Sequence, residues 1–312
     1  MKKFLQKLIL FSFVFFLFAI IVLVASSAIV APKLSKRGRG CVLDKLNRIQ
    51  NIQQPKIVLV GGSNICYNTN SKLIEDSLHM PVADMSINAN VGMQFYFESV
   101  KPYLKSGDIV ILTPEYDAYS KINFLGDESM YELNIIHPKF ISILSAKQWL
   151  RLPLYIGNIL KDNYNILVAD KNSKISNGRY DYNVWGDYEG HKNLPSQSDK
   201  FMNNKEDDYN LKENQIINED FIQLVKDFSI YCKQKNIKCF IGYGVYAKKL
   251  VPEEYAFKIH NELKEMNWFT NNPNDCLYDA NQLFDSPNHL LFNLQNQRTE
   301  KIIALLKKQL HN

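Results

Sequence analysis

A serine lies in the segment GGSN at residues 61–64, directly after the apolar run KIVLV. The two glycines before Ser63 let the backbone turn sharply, and the amino terminus of a following helix would aim its N–H groups at charge developing near the serine oxygen. This pattern suits a nucleophile. The same four residues also form ordinary turns, so the segment alone leaves both interpretations open.

A serine hydroxyl needs a base to become an effective nucleophile, and that base is normally a histidine oriented by a carboxylate. The chain has six histidines, and only His289 has an aspartate close by in a loop before a final amphipathic helix. Asp285 precedes it by four residues. A tight turn would therefore place the carboxylate against Nδ1 and leave Nε2 free. Alternatively, residues 285–288 form only a turn, and His289 caps the helix or lies on the surface.

Short β-rich runs alternate with helical stretches after residue 55, and this alternation predicts a parallel sheet covered by helices. The predicted strands are KIVLV, PVADMSI, DIVILTP and IKCFIGYG, and the predicted helices are residues 70–78, 92–107 and 221–236. We therefore predict an α/β fold, a three-layer, doubly wound parallel sheet. Ligands of open α/β sheets bind beyond the carboxyl ends of the strands, so functional groups are expected just after each strand.

Polar residues follow three of the predicted strands. Asn64 adjoins Ser63 after the first strand, and Asn88 and Asn90 follow the second. After the third strand come Glu115 and Tyr116, and these two side chains are predicted to line the site.

The alternation stops between about residues 118 and 215, where we predict a helical and irregular insertion. Residues 137–160 have the pattern of one or two helices, whereas residues 169–208 are polar and lack any period. Long insertions of this kind are usually functional lids or flexible segments. His191 lies in this insertion and is expected to be an exposed loop residue.

Basic residues are concentrated at the amino terminus. Residues 1–40 contain seven Lys or Arg and no acid, whereas the other 272 residues carry 30 basic and 32 acidic side chains. A faintly acidic body without a basic stripe gives little support for nucleic-acid binding.

The 24 residues from Leu8 to Ala31 carry no charge. As a helix they would reach about 36 Å, enough to cross a hydrocarbon core. We predict a membrane anchor and a linker at residues 1–40 and an α/β domain at residues 41–312. A cleaved signal peptide is the alternative, because Lys2 and Lys3 precede the apolar run and ASSA ends it. The run exceeds the usual apolar region of about 7–15 residues, which favours the anchor.

Neither metal nor cofactor binding is indicated. The five cysteines form no CxxC pair and no Cys/His cluster, so they are predicted to be buried thiols. GGSN also lacks both GxGxxG and the P-loop lysine, which argues against a nucleotide-binding domain.

Three segments, GGSN, KPYLKSGDIVILTPEYD and FDSPNHL…QRTEKI, together resemble the SGNH/GDSL hydrolase superfamily. More narrowly, they resemble a bacterial membrane-anchored SGNH-like branch, akin to enzymes that handle acyl groups on cell-surface polysaccharides. The resemblance covers roughly residues 55–118 and 219–309, and the insertion matches only loosely, around YNVWGDYEGH. It implies Ser63 as the nucleophile, His289 as the general base and Asp285 as the residue that orients the base.

Two departures from the superfamily pattern concern the oxyanion hole and the triad. TPEYD stands where the superfamily has Gly-x-Asn-Asp, so Glu115 replaces an amide donor, and Asn88 stands at a position usually held by glycine. Asn64, Asn88 or Asn90 would have to supply the missing hydrogen bond, and losing one such donor typically costs about 10²–10³ in rate. The Asp-to-His spacing is also one residue longer than usual.

The resemblance implies a serine-dependent acyl-ester hydrolase or O-acyltransferase at the cell envelope, acting on an acylated carbohydrate or a small ester. It also implies a single-pass membrane protein whose soluble domain is extracytoplasmic, with envelope-assembly proteins as further partners. Charge does not decide the orientation, because basic residues flank both ends of the span. The alternative is a non-catalytic, membrane-tethered binding module of a polysaccharide assembly.

Overall fold

The computed structural model describes residues 2–120, 122–168, 178–202, 211, 216–270 and 272–310. Its helices are α1 (Lys2–Leu34), α2 (Val42–Asn51), α3 (Ser63–Cys66), α4 (Ser71–Leu78), α5 (Met93–Val100), α6 (Glu128–Ile136), α7 (Ala146–Val168), α8 (Asp199–Met202), α9 (Glu219–Gln234), α10 (Glu253–Glu262) and α11 (Gln295–Leu310). Its strands are β1 (Ile57–Gly61), β2 (Val82–Asp84), β3 (Ile109–Thr113), β4 (Lys238–Ile241), β5 (Tyr246–Ala247), β6 (Asn267–Trp268) and β7 (Leu277–Tyr278).

Five strands form one parallel sheet in the order β2-β1-β3-β4-β6. Strand β1 pairs with β2 at one of its edges and with β3 at the other, so the chain goes from β1 to β2 and then crosses back past β1 to β3. Gly61 at the end of β1 is in register with Thr113 at the end of β3. A crevice opens beyond strand ends where the order reverses in this way. The residues that follow β1 and β3 therefore meet at one place.

Helices pack on both faces of the sheet because side chains alternate along each strand. Val58 and Val60 face the larger core, which includes residues of α2, α5 and α9. Ile57 and Leu59 face a smaller core with α4 and α11. Every residue of β1 is buried, as expected of a continuous apolar run in a parallel sheet. The predicted α/β class and parallel sheet are confirmed.

Three short strands carry no signal in the sequence. The fifth strand of the main sheet, β6, has two residues, and β5 and β7 form a separate two-residue parallel pair. Strands this short show no alternation that a pattern would detect. They form because tertiary packing brings their backbones together.

Helix α1 is long and apolar enough to cross a membrane. Its carboxyl-terminal part packs against α6 and α7. The Asn163 side chain of α7 donates hydrogen bonds to the hydroxyls of Ser26 (3.0 Å) and Ser27 (3.2 Å). The Lys33 ammonium donates to the Ile166 carbonyl at 2.9 Å. Helix α1 is therefore bonded to the folded domain.

The segment predicted as a linker is packed and partly helical. Helix α1 continues to Leu34, and residues 38–41 form a 3₁₀ turn. The Arg39 guanidinium pairs with the Glu132 carboxylate and donates to Ser129 Oγ at 2.8 Å. Composition suggested a free linker, but these polar side chains find partners on α6. Residues 121, 169–177, 203–210 and 212–215 of the predicted insertion lie outside the described residues.

The described part of the insertion around YNVWGDYEGH contacts the sheet and α4. The Asp84 amide at the end of β2 donates to the Trp185 carbonyl at 3.0 Å. The Asp187 carboxylate accepts hydrogen bonds from the amide (2.8 Å) and hydroxyl (2.5 Å) of Ser71, the first residue of α4. These bonds hold residues 184–188 against the domain, although the segment shows no period.

Candidate active site

Ser63 begins α3, two residues after β1 ends. It is 9% exposed and lies at the switch point of the sheet. A Cβ atom at Gly62 would collide with the Glu115 carboxylate, so the glycine lets the chain turn close to that side chain. The strand predicted before the serine and the helix predicted at residues 70–78 are confirmed as β1 and α4, whereas the short helix α3 at the serine was not predicted.

Asp285 and His289 form the predicted pair in the loop before α11. His289 Nδ1 lies 2.7 Å from Asp285 Oδ1. Burial acts to raise the pKa of Asp285, but the hydrogen bond and charge of His289 outweigh it and hold the pKa below its usual value. An ionised carboxylate accepts from Nδ1–H and leaves the lone pair on Nε2. Among the described residues, buried Nε2 has no hydrogen-bond partner.

Asn68 fixes the loop on both sides of His289. Its amide nitrogen donates to the Asn288 carbonyl at 2.7 Å, and its amide oxygen accepts from the Leu290 N–H at 2.6 Å. Asn68 is fully buried, so these bonds are shielded from competing water. The loop is thereby tied to the segment that follows the serine.

Tyr67 brings the imidazole to the serine turn. Its ring stacks on His289 with ring centroids 3.7 Å apart and an interplanar angle of 6°. Its N–H donates to the Ser63 carbonyl at 3.0 Å, one helical turn later, so the two side chains share a face. The stack fixes the plane of the base.

Ser63 and His289 line the same two cavities, of about 380 Å³ and about 220 Å³. Within the part of the chain that the structure describes, no hydrogen bond joins Ser63 Oγ to His289 Nε2. Such bonds are often long without substrate and shorten in the reacting complex. The three residues predicted to be catalytic are therefore brought to one site.

Glu115 lies beneath the serine turn. Its carboxyl oxygens accept hydrogen bonds from the N–H groups on either side of the serine, Gly62 at 3.2 Å and Asn64 at 3.3 Å. It is 3% exposed, and burial, with a smaller contribution from Asp117, raises the pKa of Glu115 to about 8. The Glu115 side chain therefore holds the turn and is mostly neutral near pH 7.

Replacing Glu115 with glutamine is expected to change how stability depends on pH. The carboxyl ionises near its ordinary pKa of 4.5 in the unfolded chain and near 8 in the folded one, so the folded state binds more protons between these values. The free energy of unfolding of the wild type therefore falls as pH rises through this window. The free energy of unfolding of Glu115→Gln should therefore rise by on the order of 3 kcal/mol, relative to that of the wild type, between pH 5 and pH 8.

Urea denaturation at the two pH values measures this difference. Glu300→Gln, at an exposed position of α11, is the matched control and should follow the wild type at both. If the free energies of unfolding of Glu115→Gln and wild type differ by the same amount at both pH values, the folded protein contains an ordinary ionised carboxylate at residue 115.

Asn88 has one donor to offer to the site. It lines both cavities, but its backbone N–H donates to Tyr96 Oη at 2.9 Å. Its side-chain oxygen accepts from the Asn90 N–H at 2.8 Å, which leaves the side-chain NH₂ group. Asn90 is exposed and lines only the smaller cavity. Of the three asparagines predicted to supply the oxyanion hydrogen bond, Asn88 has the most suitable position.

Asn64 and Tyr116 lie beneath the site rather than in the walls of these two cavities. Asn64 is fully buried, and its amide nitrogen donates to the Thr113 carbonyl at 3.0 Å. Tyr116 is also buried, with its ring centroid 5.6 Å from that of Tyr246. Their contacts support the strand ends, whereas Asp117 and Tyr246 line the smaller cavity in the place expected for Tyr116.

His191 is buried, contrary to the expectation of an exposed loop residue. It is 1% exposed, with its ring centroid 5.0 Å from that of Tyr67. Burial, followed by the nearby His289, lowers the pKa of His191 to about 4, so its imidazole is neutral near pH 7. Residues on distant segments enclose it, and these contacts are not visible in the local sequence.

Sequence reasoning also missed Tyr67, Asn68 and Arg37, which lines the larger cavity. The first two lie four and five residues after Ser63, and this helical spacing was the available signal. Arg37 offered none, since it fell in the segment assigned to the linker.

Comparison of the chain with protein-family models and with curated proteins finds no match. Within the described residues, no group of three or more His, Cys, Asp or Glu side chains could hold a metal ion. The function is therefore inferred from the residues of the site itself.

Proposed function

We propose that this protein is an SGNH-type serine hydrolase, a membrane-anchored acyl-ester hydrolase or O-acyltransferase of the cell envelope. One observation carries the proposal. Ser63 and His289, from opposite ends of the α/β domain, line the same cavities, and Asp285 is bonded to the far nitrogen of the imidazole. This is the arrangement that a serine nucleophile needs.

In the proposed mechanism His289 Nε2 takes the proton of Ser63 as Oγ attacks the ester carbonyl. The Ser63 N–H and the Asn88 amide donate to the oxyanion, and neutral Glu115 adds no negative charge beside it. The ester C–O bond breaks, the alcohol leaves with the proton from Nε2, and the acyl group stays on Oγ. Water or a sugar hydroxyl then attacks the acyl carbon and gives its proton to Nε2. The bond between the acyl carbon and Oγ breaks, and Nε2 returns the proton to Ser63.

The sheet supports the proposal at the level of fold. The order β2-β1-β3-β4-β6 with helices on both faces is the flavodoxin-like, doubly wound order. A three-layer SGNH arrangement would have this order, with the nucleophile after the first strand. A fold hosts many activities, so the site and not the sheet supports the chemistry.

The membrane anchor in this proposal is uncleaved. Cleavage after ASSA would separate most of α1 from the domain and remove the hydrogen bonds that Ser26 and Ser27 accept from Asn163. The substrate expected at the envelope is an acylated carbohydrate or a small ester, and the domain is extracytoplasmic.

Labelling with a fluorophosphonate probe tests the proposal. The full-length protein in detergent is expected to be modified on Ser63, and Ser63→Ala should abolish the label. Ser142→Ala, at an exposed hydroxyl far along the chain, is the matched control and should retain it. Folded protein that resists the probe, while a known serine hydrolase is labelled in the same tube, would count against catalysis.

A non-catalytic binding module is the second candidate. It is favoured by Glu115 in place of an amide donor and by the absence, among described residues, of a Ser63–His289 hydrogen bond. In that case the protein would bind an acylated polysaccharide without being labelled, and Ser63→Ala would leave binding unchanged.

A further inference from the structure

A groove of about 700 Å³ runs between α1, α6 and α7. Its walls are mainly apolar and include Leu23 and Ala28 of α1, Ile135 of α6, and Leu152 and Ile156 of α7. A groove with such walls takes an apolar occupant, because burying a polar group there would cost free energy.

The groove lies beside the helix that is long enough to cross a membrane. Its α1 wall lies within residues 16–31, inside the uncharged run that would occupy the hydrocarbon core. On the neighbouring helix α7, Leu150 and Leu154 are 80% and 74% exposed, and Lys147 and Lys161 are exposed as well. Exposed leucines beside lysines suit a helix at the membrane interface. The apolar molecule nearest to the groove is therefore the acyl chain of a membrane lipid.

The groove adjoins the candidate active site. Ile159 of α7 lines both the groove and the cavity that contains Ser63. That cavity is polar, since Arg37, Glu128 and Asp162 also line it. An apolar groove that adjoins a polar, serine-containing cavity matches the two ends of an amphiphile.

We infer that the acyl donor is a membrane lipid ester whose acyl chain lies in this groove and whose carbonyl reaches Ser63. The inference rests on the proposed function and on α1 spanning the membrane. Ser63 Oγ forms the new ester bond with the acyl carbon, and the lipid alcohol leaves with the proton from His289. Water or a sugar hydroxyl then gives a proton to His289 and takes the acyl group as its bond to Oγ breaks, and His289 passes that proton to Ser63.

Two alkyl fluorophosphonates, ethyl and dodecyl, test the chain site on full-length protein in phosphatidylcholine nanodiscs. The rate constant for labelling of Ser63 is measured for each. Burying one methylene is worth roughly fourfold in affinity, so the ten extra methylenes should raise the rate at least about 100-fold.

Ala28→Trp fills the groove and should lower the dodecyl rate at least about tenfold relative to Ile29→Trp, since only the part of the long-chain preference that comes from the groove is lost. The rate with the ethyl probe reports whether the variant is folded. Ile29→Trp is the matched control, because Ile29 is 63% exposed and points away from the groove lining. It should keep the full preference for the long chain, including any part that comes from partition into lipid.

Equal rates for the two probes on wild type, or a dodecyl rate of Ala28→Trp equal to that of Ile29→Trp, would overturn the inference while leaving the serine chemistry intact. If neither probe modifies Ser63, the proposed function fails, and the assignment of a lipid acyl donor fails with it.

Discussion

His289→Ala is expected to hydrolyse a short activated ester at least about 10⁴-fold more slowly than the wild type. In the folded protein Nε2 is buried without a described partner and shares its cavities with Ser63. Without the imidazole, the serine proton has no acceptor, and an un-ionised hydroxyl is a weak nucleophile. Steady-state turnover of p-nitrophenyl acetate, with active-site titration, measures the loss.

His79→Asn is the matched control for this experiment. His79 is an exposed histidine in the left-handed conformation after α4, with φ of 51°, which asparagine also tolerates. Its turnover should remain within about twofold of wild type, since surface substitutions usually have small effects. If His289→Ala keeps a tenth of wild-type turnover, His289 is not the general base.

Asp285→Asn should cost about 10⁴-fold in turnover, although it changes the shape of the side chain very little. The ionised carboxylate accepts from Nδ1–H at 2.7 Å, and the low pKa of Asp285 keeps it ionised. An asparagine that presents its NH₂ group to Nδ1 would instead favour the tautomer with the proton on Nε2. That tautomer cannot take a proton from Ser63.

The double variant His289→Ala/Asp285→Asn separates a triad from two independent contributions. Residues that act as a unit are strongly non-additive, so the double variant should be no slower than His289→Ala alone. Asp279→Asn, at an exposed helix cap in the same region, is the control and should leave turnover unchanged. If the fold-loss of turnover in the double variant equals the product of the losses in the two single variants, the proposed role of Asp285 is contradicted.

The hydrogen bonds of Asn68 and Arg298 hold the candidate active site together across several segments of the chain. Asn68 joins the segment after Ser63 to both neighbours of His289, and Arg298 donates to the Asn68 carbonyl at 3.3 Å. The serine turn, the histidine loop and α11 therefore form one bonded unit. Its position at the switch point follows from the strand order.

The sequence alone determined the features that depend on neighbouring residues. The apolar run at 57–60 predicted β1, and Asn70 predicted the start of α4, where its side chain accepts from the Leu73 N–H at 3.0 Å. The turn at Ser63 and the pairing of Asp285 with His289 were also predictable, because each lies within five residues. Period, capping and turn chemistry act over such short distances.

Only the tertiary structure decided the features that depend on residues far apart in the chain. The burial of His191, the pKa of Glu115 and the bonds of Asn68 all come from segments that meet only after folding. The packing of α1 on α7 likewise turned the carboxyl-terminal part of the predicted anchor into one wall of a groove. Desolvation and contact depend on the surroundings in space, and the local pattern of residues carries no record of them.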